Sequence, residues 1–270
     1  MNRKLLAMLI AGFAFFAASC TPSPAPGGSG VSTTTTLPAT YAPFSRPLVS
    51  FEFDDGWQSA YKYGLPVMKS FGYTPTMYII TDTAQHNANY GVGTYMTPTQ
   101  IQDWVAQGGD IGAHTVDHKD LTTLTQAQVQ AELANSKTYL TNLLGKAPTL
   151  FATPYCATNA TVTNLAMLYY QDQRNCDDPT NKSESWDPSN VHSISIENNT
   201  TLADIQAILA DTISSNGWTV FAFHEVGTPV DPTDPTYTVS VAQLTAIVQA
   251  VKDSGVTVVS SQQGLNESIG

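Results

Sequence analysis

Residues able to bind a metal or carry a proton close four different apolar runs in this 270-residue chain. Asp54 and Asp55 follow residues 47–53, His114 follows 109–113, Tyr155 ends the run from Leu150, and His224 follows 218–223. Seven runs read as strands: 48–53, 76–81, 110–114, 150–155, 191–196, 219–224 and 256–260. Most are nearly unbroken in apolar and β-branched residues, the signature of strands covered on both faces, as in parallel sheets. Helical periodicity fills the gaps at 61–71, 97–106, 125–144, 159–170, 201–214 and 241–253, with Gly145, Gly217 and Gly255 at expected helix stops. Strand alternating with helix predicts one parallel α/β domain. Polar groups at the C-terminal ends of several strands favour a closed barrel, because an open sheet gathers its site mainly at one switch point.

The first 20 residues stand apart from this pattern. Arg3 and Lys4 precede an apolar stretch from Leu5 to Phe16, then Ala17-Ala18-Ser19-Cys20. That is the layout of a secretory signal, too short for a typical membrane span. Its end resembles a bacterial lipoprotein box, which implies cleavage before Cys20 and a lipid on that residue; the plainer reading is an ordinary cleaved signal peptide. The expected location is therefore exported, either lipid-anchored to a bacterial membrane or secreted. Residues 21–42 are rich in Pro, Ser, Thr and Gly and read as a tether, leaving 43–270 as the globular body. A formal net charge of −11 argues against nucleic acid as a partner. With Cys20 assigned to lipid, Cys156 and Cys176 remain, and an oxidising compartment favours a disulfide between them. The oligomeric state is not encoded in any pattern visible here.

Asp55, His114 and His118 supply one carboxylate and two imidazoles, the donor set of an open divalent-metal site, for which zinc is the best chemical match. Asp54 beside them is placed as a general base, although Asp-Asp-Gly is also a common turn. His224, after six mostly apolar residues, reads as a general acid at the same mouth or as a core histidine. The zincin pattern fails because Thr115 stands where it needs Glu. No Gly-x-Ser-x-Gly elbow occurs in the body, and Gly91-Val-Gly93 lacks the third glycine of a dinucleotide loop. Trp57, Tyr90, Tyr95 and Trp186 fall near predicted loops, where aromatics can stack on sugar rings or simply pack. Together these residues indicate a metal-dependent hydrolase.

The stretches Ser50-Phe-Glu-Phe-Asp-Asp-Gly56, His114-Thr-Val-Asp-His118, Thr153-Pro-Tyr155 and Phe221-Ala-Phe-His224 resemble, in order, the motifs of the polysaccharide deacetylases, carbohydrate esterase family 4. The resemblance runs from Pro47 to about Leu265. It implies a distorted seven-stranded (β/α) barrel, a divalent metal and removal of acetyl groups from N-acetylated glycans or O-acetylated xylan. It further implies Asp54 as base, Asp55, His114 and His118 as ligands, the Tyr155 backbone N–H as oxyanion donor, His224 as acid and Thr115 as a support of the histidine loop. Two positions depart from the family pattern. Ala152 stands where an arginine orienting the base is usual, and Cys156 where glycine is usual. Arg174 is the expected substitute, reaching the base from another loop, with Cys156–Cys176 pinning that loop. Trp186 and Asp187 are the candidates for the family's Asp/Trp motif. The implied reading is a deacetylase of chitin fragments, peptidoglycan or poly-N-acetylglucosamine. The alternatives are an acetylxylan esterase and, in a different class, a glycan-binding protein on a degenerate deacetylase fold.

Overall fold

The computed structural model describes residues 44–85, 93–176, 180–183, 186–230 and 235–269. The signal segment, Cys20, the tether 21–42, residue 43 of the body and Tyr90 lie outside these. In chain order the body contains β1 (Leu48–Phe53), a π-helical turn (Ala60–Gly64) running into α1 (Leu65–Ser70), β2 (Thr76–Ile79), α2 (Thr81–Gln85), α3 (Pro98–Ala106) and β3 (Asp110–Ala113). Then come α4 (Gln126–Leu144), α5 (Ala160–Tyr169), β4 (Thr180–Asn181), β5 (Ile194–Ser195), α6 (Leu202–Ser215), β6 (Trp218–Phe223), β7 (Glu225–Val226), β8 (Thr238–Val239), α7 (Val241–Ser254), β9 (Thr257–Val258) and α8 (Ser261–Ile269).

Helix starts follow local chemistry. Thr97 with Gln100, Thr125 with Gln128 and Thr201 with Asp204 each form a reciprocal capping box. Such boxes satisfy two of the amide donors that a helix N-terminus leaves free. Gly145 and Gly255 end α4 and α7 in the left-handed conformation. At α6 Asn216 takes that place, one residue before the predicted stop at Gly217.

The strands close into a ring. β1 pairs in parallel with β2 on one side and β6 on the other, and β2 pairs with β3. From β3 the ring continues through single parallel bridges: Ala113 to Phe151, Ala152 to Arg174, and Arg174 to Val191. β5, which begins three residues after Val191, pairs in parallel with β6 and completes it. The seven-membered (β/α) barrel expected from the sequence is present, with altered membership. Run 150–155 contributes only the bridges at Phe151 and Ala152, since Pro154–Cys156 turns into a 3-10 helix. Run 256–260 is not a ring member. It shrinks to β9, which pairs with Leu48 and Val49 at the start of β1, while β2 takes Glu52 and Phe53 on that strand. The seventh member of the ring is instead the Arg174 segment, between Ala152 and Val191.

Side-chain parity along β1 sorts the core. Val49, Phe51 and Phe53 join the large apolar cluster with Met77, Ile79, Phe151 and Phe223 and with Leu133, Leu140, Leu244 and Val248 of the helices. Leu48 belongs to a second cluster with Tyr78, Ala152, Trp186, Trp218, Val220 and Leu265. Trp186 is buried there against Phe44 and Trp218, so it is a core residue and is not placed to stack on a ligand. Ser50, Glu52 and Asp54 share Leu48's parity and run up the strand to its C-terminal end.

Candidate metal centre and active site

Each strand end delivers its polar residue to the same mouth. One cavity of about 260 Å³ is lined by Asp54, Asp55, His114, His118, Thr153, Tyr155, Cys156, Arg174, Cys176, Ser195, His224 and Tyr237. These residues follow β1, β3, the Phe151–Ala152 bridges, the Arg174 bridge, β5 and β6, so the C-terminal ends of the ring build the site. Asp54, Asp55, His114, His118, Tyr155, Arg174 and His224, the seven residues given a catalytic or ligand role from the sequence, are all among them. Asp187 is not; it caps the 3-10 turn Pro188–Asn190.

The turns that carry these groups are conformationally costly. Asp55, Thr115, His118, Tyr155 and Cys156 all have positive φ, between 53° and 70°. Among the described residues the other non-glycine case is Asn216. Such conformations cost about 1–3 kcal/mol each and persist where surrounding structure over-determines them. Here the constraints are visible. Thr115 Oγ1 accepts from the His118 amide at 3.0 Å, the supporting role expected of it. Glu132 Oε2 accepts from the Val116 amide at 2.8 Å, and Asp82 N donates to Val116 O at 2.7 Å. A disulfide joins Cys156 to Cys176, with Cα atoms 5.6 Å apart, and ties the Tyr155 turn to the Arg174 segment.

Asp55, His114 and His118 offer donor atoms all within 4.8 Å of one another. Asp55 Oδ1 lies 3.4 Å from Nε2 of both histidines. That oxygen is buried and has no hydrogen-bond partner. An orphaned carboxylate oxygen facing two imidazole nitrogens fits a divalent cation. His114 Nδ1 donates to the Ala152 carbonyl at 2.7 Å, which leaves Nε2 as the lone-pair nitrogen facing the cluster. Burial and the neighbouring His114 push the His118 imidazole down to about 4, so it is a neutral donor near pH 7. Burial acts to raise the Asp55 carboxyl, but the imidazoles of His114, His224 and His118 outweigh it and hold the group well below the usual range.

Asp54 sits in a different network. Arg174 Nη2 donates to Asp54 Oδ1 at 2.5 Å, and Arg174 Nε lies 3.1 Å from Glu52 Oε2. Nη1 reaches Ser193 Oγ at 3.3 Å, and the guanidinium lies over the Tyr78 ring. Arg174 is 2% exposed, and both carboxylates are buried. Burial works against the charged guanidinium, yet Asp54 and Glu52 together raise its pKa. The expected substitution for the arginine missing at Ala152 therefore holds in geometry, with one correction: Arg174 comes from a ring segment beside Ala152 and not from a loop. Glu52, which the sequence reading passed over, is pushed up to about 7 by burial, partly offset by Arg174. Ser261 Oγ donates to its Oε1 at 2.6 Å and Tyr78 Oη at 3.3 Å.

His224 Nε2 stands 3.8 Å from Asp54 Oδ2 and packs on the Tyr237 ring, centroids 4.9 Å apart. Tyr155 packs likewise on His118, at 4.5 Å. Tyr155 is 68% and Tyr237 47% exposed, so two open aromatic faces flank the cavity, one on the ligand side and one on the His224 side. Ser195 and Tyr237 carried no sequence signal, since neither ends a recognisable apolar run.

Residues 42–170 match the sequence profile of the polysaccharide deacetylases. That stretch, just under half of the chain, includes Asp54, Asp55, His114, His118 and Tyr155. The chain is 31% identical over 110 residues to YxkH of Bacillus subtilis (strain 168), named as a polysaccharide deacetylase, covering 41% of this chain and 37% of that protein. It is 32% identical over 165 residues to a chitin deacetylase of Pestalotiopsis sp, covering 59% of this chain and 49% of that one. The chain thus spans less than half the length of these curated relatives. The fold also aligns with the carbohydrate esterase family 4 domain of a multidomain xylanase from the hindgut metagenome of Trinervitermes trinervoides. There the TM-score is 0.54 at 19% identity, over 82% of this chain and 90% of that domain.

Proposed function

We propose that this chain is a metal-dependent deacetylase that hydrolyses acetyl groups from N-acetylated polysaccharide, such as chitin fragments, peptidoglycan or poly-N-acetylglucosamine. The observation that carries the reading is the meeting, in one cavity, of an orphaned Asp/His/His donor cluster and a buried arginine-held carboxylate beside a histidine. A divalent ion, for which zinc is the best chemical match, would polarise water and the acetyl carbonyl and lower the pKa of the water. Asp55, His114 and His118 would hold it. Asp54 Oδ2, the oxygen not engaged by Arg174, takes the proton from the attacking water. Arg174 holds that carboxylate in place. The Tyr155 backbone N–H supplies a donor to the developing oxyanion. His224 Nε2 gives its proton to the departing sugar amine. Tyr155 and Tyr237 offer apolar faces to the sugar rings on either side.

The names of the relatives support a glycan substrate, and the intact base, acid and arginine favour the harder amide cleavage. The disulfide suits an oxidising compartment, in keeping with a protein exported by its signal segment and anchored through Cys20. The test is acetate release by the purified protein, zinc-loaded and chelator-stripped, on chitooligosaccharides, peptidoglycan, poly-N-acetylglucosamine and acetylxylan. Metal-dependent release from an N-acetylated member is the expected result. Release from acetylxylan alone would make it an esterase. A zinc-bound protein that releases acetate from none of them would point to a glycan-binding protein or to a small-amide substrate outside the panel.

A further inference from the structure

The two oxygens of Asp55 have different occupations. Oδ1 faces His114 and His118 and accepts no hydrogen bond. Oδ2 accepts from the indole N–H of Trp57 at 2.9 Å. The indole is itself held. Its ring stacks on Tyr95 with centroids 4.5 Å apart and planes 24° apart, and the two residues form an antiparallel bridge. Gln58 N donates to Thr94 O at 3.0 Å and Met96 N to Gly56 O at 2.8 Å, so segment 94–96 clamps the turn on both sides of Trp57. Immediately after Met96, Thr97 and Gln100 cap α3 and anchor the clamp to a helix. The turn needs such fixing, because Asp55 has φ 70° and Gly56 φ 81°.

We propose that Trp57 is a positioning residue of the metal site, with its indole N–H holding the outer oxygen of Asp55 so that the carboxylate presents one oxygen only. This rests on the metal-site reading above. A free carboxylate can swing or bind an ion through both oxygens, which would use up a coordination position. With Oδ2 committed to Trp57, Asp55 is restricted to one-oxygen ligation, and the three protein donors leave positions open for water and substrate. Asp55 and His114 are then held by parallel devices, one by an indole N–H and the other through its Nδ1 to the Ala152 carbonyl.

The test measures zinc affinity by competition with a chromophoric chelator, independently of turnover. Trp57→Phe keeps the ring stack and deletes only the donor. It is expected to weaken zinc binding by about 10- to 100-fold, the usual effect of losing a group that orients a ligand, with the melting temperature of the metal-free protein unchanged. Tyr95→Leu removes the stacking partner and leaves the N–H, and a smaller loss of roughly 2- to 5-fold is expected. It carries the test alone should the Phe variant fail to fold. Unchanged affinity in Trp57→Phe, or in Tyr95→Leu where that stands alone, overturns the role of Trp57. Wild-type protein that binds no zinc, or an Asp55→Asn variant that binds it undiminished, overturns the metal site itself and this proposal with it.

Discussion

Asp54 and Asp55 are neighbours in sequence and opposites in surroundings. Asp54 is locked to a guanidinium inside the barrel, within a network that includes Glu52, Tyr78, Ser193 and Ser261. Asp55 turns toward the opening, with one oxygen held by Trp57 and the other left without a donor. The peptide between them marks the border between a closed, mutually satisfied charge network and an open donor cluster completed from outside. On the proposed reading, two carboxylates of identical chemistry are thereby given unlike tasks, one to accept a proton and one to ligate. The positive φ of Asp55 is what allows successive side chains to serve different sides of the border.

The largest effect should come from the open side. Chelator stripping, or His114→Ala, should abolish metal-dependent acetate release, with zinc content by elemental analysis falling in step. The fold should survive, since the closed network is untouched. Asp54→Asn should lower kcat by about 10²- to 10⁴-fold, the range for loss of a general base, while bound zinc stays at wild-type stoichiometry. Loss of zinc in that variant would mean that the two sides are not separable. Arg174→Ala strands two buried carboxylates. It should cost about 3–5 kcal/mol of stability by denaturant unfolding and shift the pH profile of kcat, whereas unchanged stability and profile would remove the arginine from both roles.

Glu52 allows a gentler probe of the closed network. Its pKa is raised from 4.5 to about 7 by burial, so the folded state binds its proton more tightly than the unfolded chain does. That contribution to stability is complete below pH 4.5 and is lost as pH rises through about 7. Relative to wild type, Glu52→Gln should therefore melt at progressively higher temperature as pH rises across this window, and a constant offset would contradict the assignment. The smallest effect belongs to the rim. Tyr237→Ala should reduce kcat/KM on oligosaccharides about 2- to 10-fold, as expected for one aromatic contact, and leave a small acetyl ester unaffected.

The open side was the more legible of the two in the sequence. Asp55 and His114 follow strong apolar runs, His118 lies four residues further on, and ligand chemistry restricts which residue types can serve. The closed side was half visible. Arg174 was nominated because the position at Ala152 lacked its arginine, but its placement on the ring could not be read: a segment held by single bridges, whose inward residue is a cation, has no apolar run. Run 256–260 looked more like a ring strand for the same reason in reverse. Glu52 was missed because β1 was read as a continuous apolar run, although Ser50, Glu52 and Asp54 alternate with Val49, Phe51 and Phe53. That period of two placed a polar ladder on one face of the strand leading to Asp54. Helices were read more securely because their capping boxes are local: Thr97-x-x-Gln100 and Thr125-x-x-Gln128 act within a single turn.

β1 sets an order of events on the chain. It is the first strand of the body to be made, yet its neighbours β6 and β9 and the hydroxyl that meets Glu52 come from the far end, with Ser261 lying 209 residues later. Until those last residues arrive, the edge at Leu48 and Val49 has no β9 and Glu52 has no Ser261. For the exported protein proposed above this order has a use, because a chain that cannot finish folding early stays threadable. It also acts as a check on completeness: a copy clipped before Thr257 would carry every catalytic residue and still lack the strand and helix that seal the seam, leaving it open to proteases that an intact copy resists.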